Sequence, residues 1–255
     1  MSLHFREIGS GPPMIILHGV FGSSDNWFSI GKSFAENWKV YLIDQRNHGQ
    51  SFHSDEFNYP VMANDINLFI QNESVGRPVV IGHSMGGKVA MQLAVNQPNL
   101  IKSLVVVDIA PKKYPVHHKQ LLDGLFSIDL KNVSSRQDLE LHISRFENNS
   151  AVRQLLMKNV GRDQNNNFKW KLNLDSIGNN LEKLSEALDY INPYQANTLF
   201  IKGANSDYVS NEDEDMIRQA FPNAKIVSIP DAGHWVQADQ PEQFIKVVED
   251  FLSDS

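Results

Sequence analysis

The sequence predicts an α/β fold with a mostly parallel central sheet and helices on both faces. The first observation is a set of five short apolar runs without polar interruption, at residues 14–17, 40–43, 79–81, 104–107 and 199–201. Such runs are typical of parallel strands that are buried on both faces. The second observation is that segments with helical spacing lie between most of these runs, which favours right-handed βαβ units.

Composition and charge exclude several classes of protein. With 255 residues, the chain is long enough for one large domain, or for a core plus an insertion. It contains no cysteine, which excludes disulfides, thiolate metal ligands and a thiol nucleophile. The net charge of −7 disfavours nucleic acid and anionic membranes as partners. Because no apolar run is long enough for a signal peptide or a membrane span, we expect a cytoplasmic protein.

The stretch Gly82-His83-Ser84-Met85-Gly86 joins an apolar run to a segment with helical spacing. This context places Ser84 at the apex of a sharp turn between a strand and a helix. A turn this tight leaves no room for a Cβ at position 82 or 86, which explains both glycines. The strained turn lifts the serine hydroxyl clear of the sheet, and the helix N-terminus beside it favours negative charge. We therefore interpret Ser84 as a nucleophile.

A second glycine-rich loop, His18-Gly19-Val20-Phe21-Gly22, follows the first of the five apolar runs. Its backbone N–H groups are expected to point into the cleft. One of them, from Phe21 or alternatively from Val20, is predicted to form an oxyanion hole with the N–H of Met85. His18 is interpreted as a histidine that braces this loop.

A serine nucleophile needs a general base, and a carboxylate must hold that base in the correct tautomer. His234 is the candidate base because it lies in a glycine-preceded loop directly after the last predicted strand, residues 225–229. Such a base takes the serine proton and returns it to a leaving alcohol or thiol. The three groups together predict acyl transfer to and from Ser84.

The acid has more than one candidate. Asp108 ends the apolar run 104–107 beside the strand of the nucleophile, where the sheet would hold it rigidly. Asp207 is the alternative, in a polar loop after the run 199–201, and Asp175 is a further one. We favour Asp108 because a carboxylate that leaves a central strand is positioned better than one in a polar loop.

The α/β pattern stops after Pro111 and resumes near residue 193. Residues 112–192 are rich in helical, charged and amide-bearing stretches, and we predict that they form a helical cap over the carboxyl ends of the strands. Residues 1–111 and 193–255 would then form the core. The pair His117-His118 has no third ligand at metal-binding spacing, so no metal site is expected.

The loop after the second run contains further polar residues with no assigned role in the chemistry. Asp44 and Arg46 are interpreted as a local ion pair that supports the loop, and His48 as a solvated loop histidine.

Six stretches of the chain carry a family resemblance. They are His18-Gly19-x-x-Gly22, Asp44-x-Arg46-Asn47-His48-Gly49-x-Ser51, Gly82-His83-Ser84-Met85-Gly86-Gly87, Val107-Asp108-Ile109-Ala110-Pro111, Asn205-Ser206-x-Tyr208-Val209 and Gly233-His234-Trp235. Together they resemble the α/β-hydrolase superfamily, and more narrowly the YbfF-type bacterial esterases and their human abhydrolase relatives. The resemblance implies an α/β-hydrolase fold with a helical cap and a Ser-His-Asp carboxylesterase or thioesterase that needs no cofactor.

One departure from the family pattern bears on the acid. Many superfamily members carry it three residues after the glycine that matches Gly203, and Ser206 stands there in this chain, with Asp207 one position later. The other acid position that some members use falls on Asp108.

The expected substrate is a small-molecule acyl ester or thioester. Serine at position 84 disfavours haloalkane dehalogenases and epoxide hydrolases, which need aspartate there. A carbon–carbon bond hydrolase, a cofactorless haloperoxidase and a non-catalytic small-molecule receptor remain alternatives. The sequence leaves the acyl chain length and the oligomeric state open.

Overall fold

The computed structural model describes residues 2–116 and 119–254. The histidine pair at positions 117 and 118, for which no metal-binding role is expected, lies outside the described residues.

Seven strands form one sheet in the order β1-β3-β2-β4-β5-β8-β9, and two more form a separate antiparallel hairpin. The strands are β1 Phe5–Ile8, β2 Pro13–Leu17, β3 Lys39–Ile43, β4 Val79–His83, β5 Ser103–Val107, β6 Val160–Arg162, β7 Phe168–Trp170, β8 Thr198–Gly203 and β9 Ala224–Ile229. In the large sheet, β1 runs antiparallel to β3 and every other pair is parallel. The carboxyl ends of β2, β3, β4, β5, β8 and β9 therefore meet along one edge.

The helices of the described chain are α1 Phe28–Phe34, α2 Tyr59–Asn72, α3 Met85–Asn96, α4 Lys119–Phe126, α5 Arg136–Ile143, α6 Ser150–Lys158, α7 Leu174–Asn179, α8 Leu181–Ser185, α9 Glu214–Ala220, α10 Val236–Asp239 and α11 Pro241–Ser253. Helices α1 and α11 pack on one face of the sheet, and α2, α3 and α9 pack on the other. Within the described residues, no helix is both long and apolar enough to cross a bilayer.

The alternation of side chains along β2 explains why the sequence shows unbroken apolar runs. Ile15 and Leu17 belong to the cluster under α2 and α3, whereas Met14 and Ile16 belong to the cluster under α1 and α11. Successive residues of a strand point to opposite faces, so a strand covered on both faces needs apolar side chains at every position. All five predicted runs are strands of the large sheet.

Three short strands were not predicted. The edge strand β1 has side chains that are only partly buried, so it lacks the unbroken apolar run that marks the central strands. The hairpin of β6 and β7 has only three residues in each strand. Only the alternation around residues 168–172 signalled part of it.

Residues 112–192, here called the insert segment, contain the helices α4 to α8 and the hairpin, and they connect β5 to β8. Lys88 of α3 holds both ends of this segment. Its ammonium group donates to the carbonyl oxygen of Lys112 at 2.8 Å and also to that of Glu186. Lys88, which is 1% exposed, thus ties the entry and exit of the insert segment to the helix that follows Ser84.

Candidate active site

The turn at Ser84 has the strained geometry that the motif predicts. Ser84 has φ 52° and ψ −119°, a conformation that residues with a side chain rarely adopt. A Cβ on Gly82 would lie 2.2 Å from the carbonyl oxygen of Gly86, and one on Gly86 would lie 2.5 Å from that of Leu17. Because both contacts are to backbone atoms, only glycine fits at these two positions.

The structure brings Asp108 to His234. Asp108 follows β5, is fully buried and has φ 50°. Its Oδ2 lies 2.8 Å from Nδ1 of His234, which therefore donates to the carboxylate. Ser84 and His234 line the same cavity, which has a volume of about 370 Å³. Ser84 and His234 thus line one cavity at the edge formed by the carboxyl ends of the strands, and the imidazole is bonded to Asp108.

Two further donors hold the carboxylate of Asp108. Its Oδ1 accepts the backbone N–H of Gly203 at 3.0 Å, and its Oδ2 accepts the hydroxyl of Ser206. The hydroxyl of Ser206 therefore shares an acceptor atom with His234. Ser206 was not predicted as a site residue, although its position three residues after Gly203 was a usable signal.

The other two candidate acids are not brought to His234. Asp207 is exposed and follows Ser206 in the loop after β8, and Asp175 is exposed on α7 in the insert segment. Neither carboxylate makes a hydrogen bond to His234 within the described residues. Asp108 directly follows the buried strand β5 and is itself fully buried, whereas Asp207 and Asp175 are exposed.

Two aromatic rings pack against the imidazole of His234. The ring of Tyr208 stacks on it with centroids 3.7 Å apart, and the ring of His83 lies 4.7 Å away at a tilt of 46°. Nε2 of His83 donates to the backbone carbonyl of His234 at 2.8 Å. Burial lowers the pKa of His83 to about 3, with the nearby His234 adding to this effect, so His83 stays neutral.

The predicted role of Phe21 in an oxyanion hole is wrong in this structure. Its backbone N–H donates to Nε2 of His48 at 3.3 Å, so that group is directed at a buried imidazole. The N–H groups of Val20 and Met85 have no hydrogen-bond partner within residues 2–116 and 119–254. Val20 also borders Ser84 in both cavities of the site.

The loop after β3 also differs from expectation. His48 is fully buried, not solvated, and burial together with the nearby His18 lowers its pKa to about 3. Its neutral form donates from Nδ1 to the carbonyl of Arg46 at 2.9 Å and accepts from Phe21 at Nε2. His48 is thus a support for the glycine-rich loop.

The expected ion pair between Asp44 and Arg46 is not formed. Arg46 makes a bidentate pair with Asp65 of α2, with nitrogen–oxygen distances of 2.5 and 2.7 Å. Asp44 instead accepts the backbone N–H groups of Ser24 and Gln50 at 2.7 and 2.9 Å. Both side chains do support the loop, but each does so through partners other than the one expected.

His18 braces the glycine-rich loop, as predicted. Its Nδ1 bonds to the carbonyl of Gly19 at 2.8 Å, and its Nε2 accepts the N–H of Gln45 at 3.1 Å. Burial lowers its pKa, which keeps it neutral.

Two cavities meet at Ser84, and Val20, Ser84 and Tyr208 border both of them. The larger one extends past His234 and Trp235 and is lined in part by residues of the insert segment. The smaller one has a volume of about 50 Å³ and extends past Met85 towards Lys88. Across the described residues, no cluster of three or more histidine, aspartate or glutamate side chains has an arrangement suited to a metal ion.

A family model described as the alpha/beta hydrolase fold matches residues 12–241. The chain therefore belongs to the α/β-hydrolase family, and the predicted fold class is confirmed.

Individual relatives are similar to this protein over most of the chain. It is 39% identical to "sn-1-specific diacylglycerol lipase ABHD11" of Danio rerio, covering 97% of this chain and 80% of that protein. It is 30% identical to "Esterase YbfF" of Escherichia coli K12, covering 95% of this chain and 93% of that protein. A solved structure described as a marine microorganism esterase superposes with a TM-score of 0.96 at 42% identity, covering 98% of this chain and 99% of that one. The resemblance to YbfF-type esterases is confirmed.

Proposed function

We propose that this chain is a serine esterase that hydrolyses carboxylic esters, thioesters included, through an acyl-enzyme intermediate. Ser84 is the nucleophile, His234 the general base and Asp108 the acid that orients it. The observation that carries the proposal is the bond of 2.8 Å between Asp108 and His234, at a cavity that His234 shares with the strained Ser84. Esterase and lipase names among the relatives support the same activity.

In the acylation step, Oγ of Ser84 attacks the ester carbonyl carbon while its proton passes to Nε2 of His234. The imidazolium is stabilised by the carboxylate of Asp108, which Gly203 and Ser206 hold in place beside Nδ1. The carbon–oxygen bond to the leaving alcohol then breaks, and the alcohol takes the proton from Nε2.

In the deacylation step, water takes the place of the alcohol. His234 removes a proton from the water, whose oxygen attacks the acyl carbon, and the bond to Ser84 breaks. The proton returns to the Oγ of Ser84, so the enzyme is regenerated and the carboxylic acid is released.

The negative oxygen of each tetrahedral intermediate needs two donors. We assign this role to the N–H groups of Val20 and Met85, because both lack a protein partner and Met85 begins α3. The partial positive charge at the N-terminus of that helix adds to the stabilisation. Each such donor is worth on the order of 100- to 1000-fold in rate.

The insert segment is proposed as a cap over this site, with residues 1–111 and 193–255 as the core. The support is that Leu121, Phe146, Val152 and Leu155 of the insert segment line the larger cavity. They supply an apolar wall for a small-molecule substrate.

The test is the turnover of p-nitrophenyl butyrate by the parent chain and by Ser84→Ala. We expect the parent to be active and the variant to lose at least about 10⁴-fold, since removal of a triad member abolishes the covalent route. The matched control is Ser253→Ala, an exposed serine on α11 that should keep full activity. Parental turnover in Ser84→Ala would exclude the serine mechanism. If a folded parent showed no turnover, the chain would instead be a small-molecule receptor or one of the other hydrolases named as alternatives.

A further inference from the structure

We infer that the smaller cavity is the acyl subsite, that it accepts short apolar acyl chains of about butyryl length, and that the larger cavity holds the alcohol. The inference rests on the proposed function, because it assigns the two parts of an ester to the two cavities that meet at Ser84.

The position of His234 decides which part enters which cavity. The leaving oxygen must lie beside the imidazole that protonates it, so the alcohol must extend on the His234 side of the nucleophile. His234, Trp235 and Gln237 line the larger cavity but not the smaller one. Met85 lines only the smaller cavity, which therefore opens on the other side of Ser84. The smaller cavity is therefore the one that holds the acyl chain.

The volume of the smaller cavity limits the length of the chain. It measures about 50 Å³. One water-sized group needs roughly 10–15 Å³, so the cavity holds roughly three to five such groups in a row. Counted with the carbonyl carbon, roughly three to five groups correspond to propionyl to pentanoyl chains, so a butyryl chain fits and a hexanoyl chain does not. The larger cavity, at about 370 Å³, is in the range of pockets that hold whole small molecules.

The lining of the smaller cavity includes polar groups, but these groups already bond to other groups of the protein. The ammonium of Lys88 donates to two carbonyls and lies 5.3 and 4.9 Å from the ring centroids of Tyr59 and Tyr114. The hydroxyl of Tyr59 donates to the carbonyl of Leu184, and that of Tyr114 donates to Tyr208 and accepts from Ala110. An acyl chain therefore meets mainly aliphatic and ring surfaces, which favours an uncharged chain.

The experiment measures kcat/KM for p-nitrophenyl acetate, butyrate, hexanoate and octanoate. For the parent we expect the maximum at acetate or butyrate and a fall of at least about 10-fold at hexanoate, because each methylene that does not fit costs about 10-fold or more. A charged chain of butyryl length, p-nitrophenyl hemisuccinate, should be a poorer substrate than the butyrate. A parent that prefers octanoate or hemisuccinate would overturn the inference.

A matched pair of variants tests the assignment of the cavities. Leu184→Ala opens the wall of the smaller cavity and should raise the ratio of hexanoate to butyrate turnover by about 10-fold. Leu155→Ala makes the same change in the larger cavity and should alter the preference among butyrate esters of different alcohols, but leave the acyl ratio as it is. If Leu155→Ala shifts the acyl ratio and Leu184→Ala does not, the cavities are assigned the wrong way round.

A third variant guards against misfolding of Leu184→Ala, which circular dichroism would detect. Leu184→Phe narrows the same wall and should lower butyrate relative to acetate turnover by about 10-fold. An unchanged ratio in this folded variant would overturn the acyl subsite. Activity with the wrong chain-length pattern contradicts only this inference, whereas a folded parent without any ester turnover contradicts the proposed function itself.

Discussion

The phenol ring of Tyr208 stacks on the imidazole of His234, with ring centroids 3.7 Å apart and planes inclined by 19°. The backbone of His234 is held separately, because its carbonyl accepts a hydrogen bond from His83. Asp108 accepts a hydrogen bond from Nδ1 and so restricts the rotation of the imidazole ring. The imidazole is therefore constrained by a ring, a carboxylate and a backbone contact that come from three different parts of the chain.

Removal of the stacked ring should slow catalysis. We expect Tyr208→Leu to lower kcat for p-nitrophenyl butyrate by about 10-fold, since a stacked pair contributes about 0.5–1.5 kcal/mol and the imidazole would sample other orientations. Tyr208→Phe keeps the ring and separates stacking from the effect of the hydroxyl. If Tyr208→Leu retains the parental kcat, the stack does not position the base.

Asp108→Asn should lower kcat/KM by about 10⁴-fold, because an amide at this position favours the wrong tautomer of His234. Asp207→Asn is the matched control and should stay within about 2-fold of the parent, since Asp207 is exposed and makes no bond to the imidazole. Steady-state kinetics with circular dichroism on both variants checks this. The opposite pattern would restore Asp207 as the acid.

Ser206→Ala removes a hydrogen-bond donor from Asp108, and we expect a loss of about 10-fold in kcat. The carboxylate then keeps only the bonds from Gly203 and His234, so it orients the imidazole less firmly. Ser206→Thr retains a hydroxyl and should recover most of the rate. A parental kcat in Ser206→Ala, or no recovery in Ser206→Thr, would show that the hydroxyl of Ser206 does not position the carboxylate.

The free energy of unfolding should decrease at acid pH, partly because of His48. Its pKa is about 3 in the folded chain against 6.5 for a free histidine, so the unfolded chain binds more protons between these two values. The free energy of unfolding therefore decreases as the pH falls from about 6.5 to 3, by up to about 1.4 kcal/mol per pH unit from this group.

The measurement for His48 is urea unfolding at several pH values between 7 and 4. His48→Gln cannot be protonated in this range, and it should show a shallower decline than the parent. The exposed His53→Gln is the control and should keep the parental slope. Equal slopes in His48→Gln and the parent would show that His48 titrates normally.

Much of the fold was predictable because its signals are local. The unbroken apolar runs of β2 to β5 and β8 follow from burial on both faces, and each predicted run is a strand. The edge strand β1 and the three-residue strands β6 and β7 were missed because they are short or only partly buried. Such strands depend on partners elsewhere in the chain more than on their own pattern.

The site residues that could be predicted are those that closely follow one strand in the sequence. Ser84 is marked by glycines within two residues, and Asp108 and His234 each follow a predicted strand closely. The oxyanion donor was misassigned because the direction of the Phe21 N–H depends on His48, which lies 27 residues away in sequence. The ion pair of Arg46 with Asp44 was predicted wrongly for the same reason, because no local pattern in the sequence marks Asp65 as the partner of Arg46.

The sequence by itself determined the order of the strands and helices, the strained serine turn and the types of residue at the strand ends, because each depends on contacts within a few positions. Only the tertiary structure decided which carboxylate meets His234, which backbone N–H groups stay without a partner, and how two cavities divide the space around Ser84. These depend on the order of strands in the sheet and on the docking of the insert segment. They bring together residues more than a hundred positions apart, such as Asp108 and His234.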